Sequence, residues 1–181
     1  MDNSGSKPGT IRILGIDPGS LHTGYGLIDM DGNRAVHVTH GQVTTQAGEL
    51  SDKLRQIFRG INTVISEFKP DECAVEKVFM YRNADSALKL GQSRGAAITA
   101  CADFDLPVFE YTANQVKQAT VGKGHAEKTQ VQYMVKVLLC LNGIPQADAA
   151  DALAVALCHG HSRENILRQK EISSVREGHS R

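Results

Sequence analysis

Ile13-Leu14-Gly15-Ile16-Asp17-Pro18-Gly19-Ser20 drives a run of apolar residues into a single carboxylate and then breaks off. A residue ahead of proline is pushed towards extended geometry, so Asp17 is expected at the end of a strand. Gly15, Gly24 and Gly26 carry no side chains, which lets backbone or ligand approach that carboxylate closely. An acid at the exposed end of a buried strand is a costly placement unless something cationic meets it. Taken alone, a strand-terminal Asp closing an Asx-turn explains the residue equally well. Further acids in similar places decide between the two.

Working outward, residues 11–17 and 23–30 read as a strand and its antiparallel partner. Asp31-Gly32 is a hairpin signal, and 34–45 alternates as a third strand. A meander at the start of an α/β chain predicts a mixed sheet. Over 49–68, Leu50, Leu54, Ile57, Phe58, Ile61, Val64, Ile65 and Phe68 recur at helical spacing, and Lys69-Pro70-Asp71 stops them. Cys73-Ala74-Val75 then runs into Glu76, a second strand-end acid. A helix is expected over 84–104, a strand over 106–111 and a short helix over 113–120. Further helices are expected over about 127–141 and from about Asp148 to His159. Gly91 and Gly95 cost the 84–104 helix about 1 kcal/mol each against alanine. That cost predicts a close backbone neighbour, either the sheet or a second copy of the helix.

The 181 residues suffice for one α/β domain. Hydrophobic residues at 41%, charged residues at 22% and a formal net charge of +0 place it among ordinary globular chains. Bulk charge therefore favours no partner, and any positive surface must arise from arrangement. No run reaches membrane-spanning length and the start lacks a signal-peptide core, so a cytoplasmic protein with no membrane contact is expected. Residues 1–10 read as a flexible leader, 11–161 as the folded domain and 162–181 as a polar, disordered tail. Cys73, Cys101, Cys140 and Cys158 show no metal or redox spacing and read as reduced, mostly buried thiols.

The last helix opens with Gln146-Ala147-Asp148-Ala149-Ala150-Asp151-Ala152-Leu153-Ala154. Asp148 and Asp151, three apart, share one face. Compensation of the helix dipole, worth about 0.3–1 kcal/mol, accounts for Asp148. In so apolar a segment the pair is better explained by a bound cation. Together with Asp17 and Glu76 this makes four hard oxygen donors of the kind preferred by Mg²⁺, with Mn²⁺ as a substitute. Four anions close together would take up protons unless neutralised. Two cations about 4 Å apart per subunit would neutralise them and clamp a phosphodiester for in-line hydrolysis by metal-activated water. No histidine has a nucleophile near it in sequence, so triad chemistry is not expected.

Several of these stretches, in this order, resemble the RuvC-type Holliday-junction resolvases. They are Gly-Ile-Asp-Pro-Gly-Ser at 15–20, Glu-Lys-Val-Phe at 76–79, Asn-Ala-Asp-Ser-Ala-Leu-Lys-Leu-Gly-Gln at 83–92, Pro-Val-Phe-Glu-Tyr at 107–111 and Gln-Ala-Asp-Ala-Ala-Asp-Ala-Leu-Ala at 146–154. The likeness covers roughly residues 11–161. It implies an RNase H-like α/β fold, a mixed five-stranded sheet flanked by helices on both faces. It also implies a homodimer that nicks four-way DNA junctions symmetrically in recombination and repair, alongside a branch-migration helicase complex. The family's four acidic metal ligands correspond to Asp17, Glu76, Asp148 and Asp151, its junction-core aromatic to Phe79, and its phosphate-binding lysines to Lys117 and Lys128.

From the residues themselves, Phe79-Met80-Tyr81 just past a metal acid can stack on an unpaired base. Arg82, Lys117, Lys123 and Lys128 belong to a basic set in the middle of the chain. Lys123 and His125 in a glycine-flanked loop, with Lys128 opening a helix, suit phosphates. His159 and His161 read as cationic partners of a helix C-terminus. Two other activities fit parts of the pattern. A nuclease of this fold could act on RNA or an RNA–DNA hybrid, because metal acids do not encode the substrate. An actin-like nucleotide-binding module would need a second phosphate loop and about twice the length.

Overall fold

The computed structural model describes residues 9–77 and 84–178, with side chains described as far as Arg163. Phe79 and Arg82, with most of the leader and the last three residues, lie outside the described residues.

Three strands open the chain: β1 (Thr10–Asp17), β2 (His22–Asp31) and β3 (Arg34–Thr44). Gly32, at φ 56°, makes the tight connection that pairs Asp31 with Arg34. α1 (Leu50–Phe68) follows and ends on Lys69 in the left-handed region, whose N–H donates to the Ile65 carbonyl. Then come β4 (Glu72–Glu76), α2 (Ala84–Ala102) and β5 (Val108–Tyr111). α3 (Ala113–Val121) begins at a capping box between Thr112 and Gln115. α4 (Lys128–Leu138) and α5 (Ala147–Gly178) complete the chain.

The five strands form one mixed sheet in the order β3-β2-β1-β4-β5. β2 is antiparallel to both neighbours, while β1, β4 and β5 run parallel. Each face is covered. Ile57, Ile61 and Ile65 of α1, with Ala97, Ala100 and Cys101 of α2, pack on Leu14, Ile16, Leu27, Cys73 and Val75. On the opposite face Leu153, Val155 and Leu157 of α5, with Val131 and Val135 of α4, pack on Ile13, Ile28 and Ala74. This is the RNase H-like arrangement expected from the sequence.

The strand glycines serve α5. A Cβ on Gly15 would lie 2.0 Å from the Ala152 carbonyl oxygen, and one on Gly26 would lie 2.6 Å from Leu153 Cγ. The backbone they admit is therefore a helix of this same chain. Gly91 and Gly95 differ: among the described residues, a Cβ on either would meet nothing within 4 Å. The sheet is therefore not the neighbour that pays for two glycines in α2.

The chain does not lose regular structure beyond Ser162, since α5 continues to Gly178. Between Gly160 and Gly178 the sequence holds neither glycine nor proline and is rich in Arg, Glu, Leu, Gln and Lys, all good helix formers. Polarity alone did not distinguish a continued helix from a disordered tail. Cys73, Cys101 and Cys158 are buried, and Cys140 is exposed.

Candidate active site

β1 and β4 lie side by side with Ile16 opposite Val75, so their final residues, Asp17 and Glu76, leave the sheet together. Adjacent strands are about 4.8 Å apart, which sets the spacing of the two backbones. Both strands are buried up to the acid and only part-exposed at it. Asp17 pairs on its other side with Gly24 of β2. A Cβ on Gly24 would lie 2.0 Å from the Asp148 carbonyl oxygen, so α5 begins directly against the strand that flanks Asp17. Asp151 follows one turn along α5. Two strand ends and one helix start bring the four acids within electrostatic reach of one another.

Their mutual effect is visible in their acidities. Burial, then Asp151, Glu76 and Asp148, push the Asp17 carboxyl up to about 8. Burial and Asp151 raise Glu76, and burial with a contribution from Asp148 raises Asp151. Lys128 opposes these shifts: it opens α4 with Nζ 3.3 Å from Asp151 Oδ2. The carboxylates in turn hold its ammonium above the usual lysine range, Asp151 most strongly. Lys117 on α3 lies close enough to favour the charged forms of Glu76 and Asp151. Lys123 is exposed in the loop between α3 and α4. The lysines at 117 and 128 thus reach the acids, whereas no described interaction ties Lys123 to them.

Among the described residues, no three carboxylate, imidazole or thiol side chains are already gathered as a metal-ligating group. The donor set nevertheless suits a hard divalent cation. It consists of carboxylate oxygens, partly withdrawn from water, whose negative charge two lysines only partly offset.

One polar cluster escaped the sequence. His159 does not cap a helix end, because α5 runs on past it; its side chain is fully buried. Its Nδ1 lies 2.6 Å from Tyr111 Oη and its Nε2 lies 2.7 Å from Glu72 Oε2. Phe109 stacks on the imidazole at 4.4 Å between ring centroids. One turn on, Arg163 Nε donates to Glu72 Oε2 at 2.9 Å. Despite burial, the hydrogen bonds from His159 and Arg163 hold Glu72 below the usual carboxylate range. The only sequence signal was a histidine and an arginine four residues apart in α5, both needing a partner that topology supplies.

A family model for crossover junction endodeoxyribonuclease RuvC matches residues 13–159. A curated protein of that name from Hahella chejuensis is 51% identical over 171 residues, 94% of this chain and 99% of the relative. A Thermus thermophilus RuvC solved in complex with a Holliday junction substrate superposes with a TM-score of 0.79 at 34% identity, covering 86% of this chain and 96% of that one. A yeast mitochondrial Holliday junction resolvase shares the fold at 12% identity and a TM-score of 0.58, over 87% of this chain and 85% of that one.

Proposed function

This chain belongs to the RuvC family of crossover junction endodeoxyribonucleases, and from that membership we propose that Asp17, Glu76, Asp148 and Asp151 are its catalytic acids. Its activity is endonucleolytic cleavage of four-way DNA junctions. The observation that carries the assignment is Asp17. It stands at the end of the central strand, pushed up to about 8 by burial and by three other acids from separate positions in the sequence. Carboxyls perturbed in this way concentrate at functional sites.

The four carboxylates are the residues that would hold divalent cations, Mg²⁺ first and Mn²⁺ as a substitute, two per subunit. When bound, such ions neutralise charge on a phosphodiester and activate water as the nucleophile. The chain's own groups do the rest. β1 and β4 fix the backbones of Asp17 and Glu76, while α5 presents Asp148 and Asp151 from the side. Lys117 and Lys128 sit where a DNA phosphate would approach the acids, and Lys128 moderates their repulsion until it does. Phe79, three residues past Glu76, is proposed to stack at the junction core, with Arg82 and Lys123 on the sugar-phosphate backbone. Nicks on two strands require two sites, so a homodimer is proposed. Exposed Gly91, Gly95 and Leu88 leave one side of α2 open for a second copy. A branch-migration helicase working on the same junction, in the cytoplasm, completes the proposal.

The test compares a synthetic four-way junction, a linear duplex and an RNA–DNA hybrid, each with and without Mg²⁺. Paired symmetric nicks on the junction alone, dependent on the ion, are expected. Preferential cutting of the hybrid would instead support the RNA-directed alternative.

A further inference from the structure

We propose that His159, held by Tyr111 and Glu72, is a positioning residue that sets the register of α5 against β4 and so places Asp151 relative to Glu76. The inference rests on the assignment of the four acids above. It starts from two pairs of residues on the same two elements. Along α5, Asp151 and His159 are eight residues apart, about 12 Å of helix. Along β4, Glu76 and Glu72 are four residues apart, about 13 Å of strand. The two spans match, so Glu72–His159 is a rung at one end of the α5–β4 pair and Glu76–Asp151 is the facing rung at the other.

The two rungs differ in sign. At the active-site end, carboxylate faces carboxylate, with Lys128 Nζ 3.3 Å from Asp151 Oδ2. At the far end the contact is attractive and buried: His159 Nε2 lies 2.7 Å from Glu72 Oε2, and Arg163 closes on the same carboxylate at 2.9 Å. Tyr111 extends the tie back towards the acids, because its backbone pairs with Glu76 while its hydroxyl lies 2.6 Å from His159 Nδ1.

Between the rungs, α5 rides on Gly15, Gly24 and Gly26 with Ala149, Ala150, Ala152, Ala154 and Ala156 buried along it. Glycine and alanine allow close approach, Leu153, Val155 and Leu157 resist sliding by packing on the sheet, and a directional contact adds further resistance along the helix axis. The directional hydrogen bonds at His159 supply that resistance.

The experiment measures Mn²⁺ binding to the DNA-free chain by loss of the free-ion paramagnetic resonance signal. Circular dichroism and junction binding in a metal-free gel are recorded beside it. In His159→Leu, Mn²⁺ affinity is expected to fall by on the order of tenfold, the low end of what outer partners of metal ligands contribute. Junction affinity should stay unchanged. His159→Gln, which keeps a donor and an acceptor, should recover much of the loss, and Tyr111→Phe should show a smaller loss in the same direction. Should His159→Leu fail to fold, Tyr111→Phe decides alone. A folded His159→Leu or Tyr111→Phe with the Mn²⁺ affinity of the unaltered chain would overturn the positioning role and leave the acid assignment standing. An unaltered chain that binds no Mn²⁺, or binds it equally well as Asp17→Asn, would overturn both.

Discussion

A carboxyl that holds its proton up to a pH of about 8 in the folded chain, against about 4 when unfolded, makes stability depend on pH in a definite direction. Between those values the native state binds the extra proton, so this group's contribution to stability is complete below about pH 4 and is lost progressively as pH rises towards 8. Denaturant titrations without divalent ions should show that decline, and added Mg²⁺ should reverse it most strongly at the alkaline end. Asp17→Asn should abolish cleavage, leave junction binding near normal and raise the metal-free thermal midpoint. Each kcal/mol of repulsion relieved is worth about 2–4 °C in a chain of this size. A variant that still cuts at near-normal rate, or melts lower, would contradict the assignment. That Asp17, Glu76, Asp148 and Asp151 lie within electrostatic reach of one another was legible in the sequence, because each stands at the end of, or inside, an apolar run. His159 was not, since nothing within its own helix announces Glu72, which stands 87 residues earlier. Nor was the pairing of Lys128 with Asp151, which a one-dimensional reading assigned to phosphate alone.

At the level of elements, the glycines separate into two kinds that the sequence could not tell apart. Gly24 lies under the start of α5, where a methyl group would sit 2.0 Å from the Asp148 carbonyl. Gly24→Ala should therefore lift that end of the helix, lower stability by about 1–3 kcal/mol through overpacking, and suppress cleavage by displacing Asp148 and Asp151. Gly91 has no described neighbour where a methyl group would go. Gly91→Ala should stabilise α2 by about 0.5–1 kcal/mol in an isolated subunit. If a second copy packs there, the same change should shift the monomer–dimer equilibrium towards monomer in sedimentation. Unchanged assembly would move the dimer contact elsewhere. Element types and order followed from periodicity and turn residues, as at Asp31-Gly32 and Lys69-Pro70. The length of α5 did not, because helix propensity without an apolar stripe leaves no mark in a hydrophobic pattern.

For the molecule as a whole, 20 basic and 20 acidic residues cancel, so attraction to DNA has to come from where the charges sit. Lys117 and Lys128 stand beside the acid cluster. Binding should weaken steeply with salt, and Lys117→Ala should reduce the slope of log affinity against log salt by about 1. An unchanged slope would remove Lys117 from the DNA surface. β1, finally, is the strand bonded on one edge by β2 and on the other by β4, with Ile13, Leu14 and Ile16 wholly buried between the two helical layers. Its amide protons should be the last to exchange in deuterated solvent, released when the whole domain opens rather than by local fluctuation. Slowest exchange there would mean that Asp17 is anchored to the last stretch of backbone to open, a fixed point to which a branched DNA must conform.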